Sequence, residues 1–203
     1  MTAAPQNSAL RVTPVTLEGA HVRLEPLTAA HTEALMRAGE PDEIWTWLPW
    51  RPRTRPDWHA WVESALEAQR VGGQLPFVTV ERVTGDVVGS TRFLAISPPD
   101  RRLEIGGTWL NARVQRTPVN TECKYLLLRH CFETLGCLRV ELKTDARNTN
   151  SQRAIARIGA TREGVFRKHM LARHGFQRDS VYFSIIDDDW PAVKLRLEAM
   201  LGA

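Results

Sequence analysis

At 203 residues, 43% hydrophobic and 25% charged, the chain has the makeup of one soluble globular domain with a sizeable core. The net charge of +4 is mildly basic, but no Lys/Arg run exceeds two residues and no base-reading motif appears, which argues against nucleic acid as a partner. No apolar run approaches the ~20 residues of a membrane span. The N-terminus lacks a hydrophobic signal core, so the expected compartment is the cytoplasm.

In chain order, residues 1–14 are polar and proline-bearing and are expected to form a flexible arm ahead of one domain over 15–203. His21 to Leu27 alternates as a short strand, and Thr28 can cap a helix running to about Ala38. A tryptophan-rich segment follows, with Trp45, Trp47 and Trp50 interrupted by Pro49 and Pro52. Thr54 and Asp57 form a capping box for a helix that ends at Gly72-Gly73, with Trp58 and Trp61 expected in the core. Phe77 to Val83 and Val87 to Ile96 form a hairpin across Thr84-Gly85-Asp86. Leu103 to Leu110 is a strand, and Asn111 to Asn120 a polar loop leading into a helix.

That helix carries Cys123, Leu127, Cys131 and Leu135 at intervals of four and stops at Gly136. The spacing of Cys123, Cys131 and Cys137 matches no metal pattern, and buried thiols are expected. Leu138 to Lys143 alternates as a half-buried strand, and Asn148 and Ser151 open a helix closed by Gly159. Thr161 to Leu171 and Phe176 to Ile186 pair across a turn near His174-Gly175, and Trp190-Pro191 starts a terminal helix. Two successive strand-to-helix junctions thus place polar groups at helix starts, where unpaired N–H groups attract phosphates. With Arg113 and Arg116 beside it, the first junction suits a pyrophosphate.

The ordered pieces Glu104-Ile105-Gly106, Val119-Asn120-Thr121-Glu122, Arg139 to Asp145, Asn148-Thr149-Asn150-Ser151 and Glu163-Gly164-Val165-Phe166-Arg167 resemble the GNAT acyl-CoA-dependent N-acyltransferases. Within that family they are most similar to the branch containing the RimJ/RimL-type protein N-terminal acetyltransferases. The resemblance extends from about Val15 over nearly the whole chain. It implies an α+β (mixed α/β) fold: a central, mostly antiparallel sheet of about seven strands, splayed between the fourth and fifth and flanked by helices. The implied co-substrate is acetyl-CoA or another acyl-CoA, with no metal. The acyl group would pass directly, in a ternary complex, to a primary amine of a small molecule or a protein N-terminus. A homodimer is common among relatives.

Acyl transfer needs a base for the amine, a stabilised oxyanion and an acid for the departing thiolate. By resemblance, the Leu110 N–H is the oxyanion donor. Glu104 is the candidate base, or else a solvent-facing or ion-paired strand glutamate. Ser151 is the candidate acid, or a hydroxyl serving the helix start; Ile155 stands where many relatives have a tyrosine. Trp109, Leu110, Gln115, Arg116, Thr117, Val119, Asn120, Thr121, Asn148 and Ser151 fall at cofactor-binding positions. Pro118 and Asn120 replace glycines of the usual phosphate loop, and Pro118 removes a backbone donor there. Trp45, Trp47 and Trp50 lie where the family builds its acceptor pocket, with plain core as the other reading. His130, His169 and His174 receive no role. The alternative function is a catalytically inactive relative that binds acyl-CoA as a sensor or interaction protein.

Overall fold

The computed structural model describes residues 10–172 and 175–202. Eight strands form one sheet in the order β1-β2-β3-β4-β5-β6-β8-β7. They are β1 (Leu17–Glu18), β2 (Val22–Pro26), β3 (Leu75–Glu81), β4 (Val87–Ser97), β5 (Arg102–Leu110), β6 (Arg139–Asp145), β7 (Thr161–Leu171) and β8 (Gln177–Ile186). The helices are α1 (Thr32–Ala38), α2 (Arg55–Arg70), α3 (Pro118–Arg129), α4 (Thr149–Arg157) and α5 (Trp190–Leu201). This is the expected α+β arrangement. The two-residue β1 raises the strand count by one, so the expected splay falls between β5 and β6. Of the arm expected over 1–14, residues 1–9 lie outside the described residues, while Leu10 packs into the core. The turn expected near His174-Gly175 lies partly outside them.

Local chemistry accounts for the element boundaries. Thr54 Oγ1 accepts the Asp57 N–H at 3.3 Å, and Asp57 Oδ2 accepts the Thr54 N–H at 2.8 Å, closing the capping box of α2. After Arg129, α3 widens into a π turn over His130–Thr134 and ends at Gly136, whose φ of 64° favours glycine. All three cysteines are buried thiols. Leu138 stays outside β6 and is exposed, because the buried alternation starts with Val140.

Because successive strand residues point to opposite faces, the sheet separates two cores. Leu103, Ile105, Val140 and Leu142 pack toward α3 and α5. Val78, Val80 and Trp109 pack with Trp45, Trp58 and Val62 of the α1–α2 side. The β1–β2 edge is fastened to α3 by one buried carboxylate. Glu122 accepts the backbone N–H groups of Ala20, His21 and Val22 at 2.8, 2.6 and 2.7 Å. Among the described residues no helix is long and apolar enough to cross a membrane.

Candidate active site

Every neighbouring strand pair is antiparallel except β5 and β6, which run parallel and pair only at Arg102–Arg139, Leu103–Val140 and Glu104–Glu141. Beyond that point β5 continues to Leu110 and β6 to Asp145 without pairing to each other. A bulge in β5 accompanies the parting. Ser90 pairs with Trp109 but Arg92 with Gly106, and Gly107 takes a φ of 58° between them. The Asn111 N–H donates to Val88 O at 2.8 Å, toward β4. Neighbouring strand residues aim their N–H groups in opposite directions, so the Leu110 N–H turns toward the gap. Its carbonyl points the same way and accepts from Gln115 Nε2 at 3.1 Å.

Since both strands are parallel, α3 and α4 both begin at the open end of the fork, where α/β sheets commonly bind ligands. Thr117 caps α3: its hydroxyl donates to Val114 O at 2.7 Å and accepts the Val119 N–H at 3.4 Å. Pro118 occupies the first turn of α3, where its missing N–H costs the helix nothing. Arg116 is exposed on the loop with φ 62°. The two arginines expected beside this junction are not both there. Arg113 is drawn away to Glu81 at 2.6 Å and Asp86 at 3.1 Å on the β3–β4 hairpin. Arg157 of α4 comes instead, donating to Thr121 Oγ1 at 3.1 Å. It is 36 residues from Thr121, so no local spacing could have revealed it. Asn120 is half-buried in the first turn, whereas the side chains of Val119 and Thr121 are buried. On the other arm, Asn148 Oδ1 caps α4 by accepting the Ser151 N–H at 3.0 Å. Ser151 is half-buried, and Ile155 faces the core.

Glu104 stands at the crotch of the fork, 3% exposed, with Oε2 3.0 Å from Lys143 Nζ. Burial pushes its carboxyl above the ordinary range, and the Lys143 ammonium only partly offsets this. It lines a cleft of about 430 Å³ together with Lys143, Tyr182 and Phe166. Tyr182 lies under the Lys143 ammonium and forms a hydrogen bond of 3.3 Å with His169 Nε2. So His169, given no role from sequence, sits one side chain from the cleft. Neither it nor Tyr182 had a sequence signal, because β7 and β8 reach this face only through the sheet.

The tryptophan segment divides. Trp45 is 0% exposed, donates Nε1 to Gly39 O at 2.7 Å and backs the wall from the core. Trp47 is exposed against the Arg147 guanidinium, and Trp50 is half-buried against Trp61. Trp109 points away from α3 and packs on Trp45 and Trp58. Trp61, expected in the core, is half-buried, and its ring lies 5.0 Å from the guanidinium of Arg92. Of three buried cations among the described residues, Arg178 of β8 lies 3.9 Å from the Asp145 carboxylate, and the other two lack such a partner. Arg92 is 8% exposed on the Glu104 face, and Lys124 is 7% exposed on the α3 face. Lys124 Nζ donates to Thr108 Oγ1 at 2.9 Å, and burial pulls it down to about 8.

Residues 21–161 match the Acetyltransferase (GNAT) domain family. The chain belongs to that family. A GCN5-related N-acetyltransferase from Brucella melitensis is 33% identical with a TM-score of 0.89, the match covering 97% of this chain and 90% of that one. A putative acetyltransferase from T. thermophilus is 39% identical with a TM-score of 0.85, covering 94% and 99%. Mycobacterium smegmatis RimJ, in complex with CoA-disulfide, shares the fold at 24% identity and a TM-score of 0.78, covering 92% and 95%. No curated protein matches the chain. The protein is an N-acetyltransferase of the GNAT type, and the family's donor is acetyl-CoA.

Proposed function

We propose that the chain transfers an acetyl group from acetyl-CoA directly to a primary amine, of a small molecule or a protein N-terminus, in the manner of the RimJ/RimL-type branch. The observation that carries this reading is the fork itself: a gap between β5 and β6, the Leu110 N–H turned into it and a buried carboxylate at its base. Bound acetyl-CoA supplies the activated thioester carbonyl. Gln115, Arg116 and the start of α3 receive the phosphates, with Arg157 as a second cation. Asn148 caps α4 by accepting the Ser151 N–H, which keeps Ser151 in the first turn of α4 at the open end of the fork.

Glu104 takes the proton from the acceptor ammonium, and burial makes its carboxylate a stronger base than an exposed one. The Leu110 N–H receives negative charge developing on the carbonyl oxygen. The proton the acceptor nitrogen sheds as the amide forms passes through the Ser151 hydroxyl to the departing thiolate, so the serine ends neutral. The half-buried tryptophans Trp50 and Trp61 wall the acceptor side, with Trp45 behind them. The test is a free-thiol release screen with acetyl-CoA across small amines and peptide N-termini. Release that depends on a particular acceptor supports the proposal. Tight acetyl-CoA binding with no release on any acceptor would refute it.

A further inference from the structure

Arg92 of β4 presents the least compensated charge on the acceptor face. It pairs with Gly106 across the sheet, so its side chain shares a face with Glu104 and lies about 7 Å further along, at ~3.3 Å per strand residue. Its stem crosses Gly107, where a Cβ would sit 3.1 Å from Nε and the φ of 58° already favours glycine. Nη1 donates to Gln74 Oε1 at 3.0 Å, and Trp61 covers the guanidinium plane. Nε and Nη2 have no partner, and no carboxylate compensates the charge among the described residues. These two atoms form the side-on edge of the guanidinium, the edge that grips a carboxylate through two parallel bonds. Among the described residues the buried Nε1 of Trp61 also lacks a partner.

A buried cation left this way destabilises the fold unless something arrives to satisfy it. We infer that the acceptor amine carries a carboxylate, seated on the Nε/Nη2 edge of Arg92 beneath Trp61 while its amine reaches Glu104. This rests on the transferase reading above and narrows its acceptor. Polyamines and aminoglycoside-like polycations meet like charge at Arg92 and are excluded.

The test uses matched acceptors: β-alanine against β-alaninamide, and short peptides with Glu against Gln at the second position. Phosphoethanolamine against ethanolamine is the phosphate arm. Wild-type kcat/KM should favour the carboxylate member about 10- to 100-fold, the range of a charge-assisted hydrogen bond. In Arg92→Gln that ratio should fall to about one, and in Arg92→Lys, which keeps charge but loses the two-pronged edge, to an intermediate value. Acetyl-CoA binding and circular dichroism confirm that both variants fold. A wild-type ratio of one, a preference confined to the phosphate pair, or a preference that survives Arg92→Gln overturns the assignment while leaving acetyl transfer standing. If no acceptor releases thiol, the transferase reading fails separately. Calorimetric binding of the carboxylates then decides Arg92: lost in Arg92→Gln supports it, and equal or absent in both proteins sinks it.

Discussion

Lys124 is held in the folded protein at a measurable penalty, and replacing it with methionine should make the protein more stable. The ammonium is buried under α3 with one neutral partner, Thr108, and no carboxylate among the described residues. Burial lowers its pKa from 10.5 to about 8. Converted at ~1.4 kcal/mol per tenfold change in proton affinity, that drop is a penalty of about 3 kcal/mol at neutral pH. The sign follows from proton binding. Above 10.5 both states are neutral and there is no penalty; between 10.5 and about 8 the unfolded chain takes up the proton first; below about 8 the penalty is complete. Methionine keeps most of the apolar stem. Thr108 stays satisfied by Thr91 at 2.8 Å, so the lost hydrogen bond returns only ~1 kcal/mol. Lys124→Met should therefore gain about 1–3 kcal/mol at pH 7 and lose most of that advantage at pH 10.5. Urea unfolding of both proteins at the two pH values measures it. A variant less stable than wild type at pH 7, or an advantage that does not shrink with pH, refutes the reasoning.

Glu122→Ala strips the acceptor from three backbone N–H groups and should cost ~3–5 kcal/mol in urea unfolding, with Glu122→Gln in between. Glu104→Gln should lower turnover ~10²–10⁴-fold. In wild type the acid limb of the pH–rate profile should lie above 4.5, because the raised carboxyl becomes a base only as pH climbs through its folded value. That limb should be missing in the variant, and a limb that persists removes Glu104 from the role. Ser151→Ala should slow thiol release with nearly unchanged acetyl-CoA affinity. A collapse of affinity instead would make the hydroxyl a binding group.

Much of the architecture is local and was therefore readable along the chain. The Thr54/Asp57 box, the Thr84-Gly85-Asp86 hairpin, the α3 stripe and the Asn148 cap each depend on side chains within a few residues of one another, and each folds as its pattern requires. The ordered motifs carried the family as well, because the two strand-to-helix junctions are contiguous in sequence. Partnership across the sheet was not readable, because it depends on which elements meet in three dimensions. Arg113 and Arg157 look alike in the chain. The fold sends one to the β3–β4 hairpin and brings the other to the start of α3. For Glu104 the sequence left a catalytic base and a solvent-facing or ion-paired strand glutamate both open; its burial and the Lys143 of β6 against it came only with the fold. Nothing in the sequence marks Arg92 and Lys124 as buried, for the same reason. Sequence carries the period of each element, but only packing sets the dielectric around a charge, and at this site that dielectric decides which groups hold, give or accept a proton.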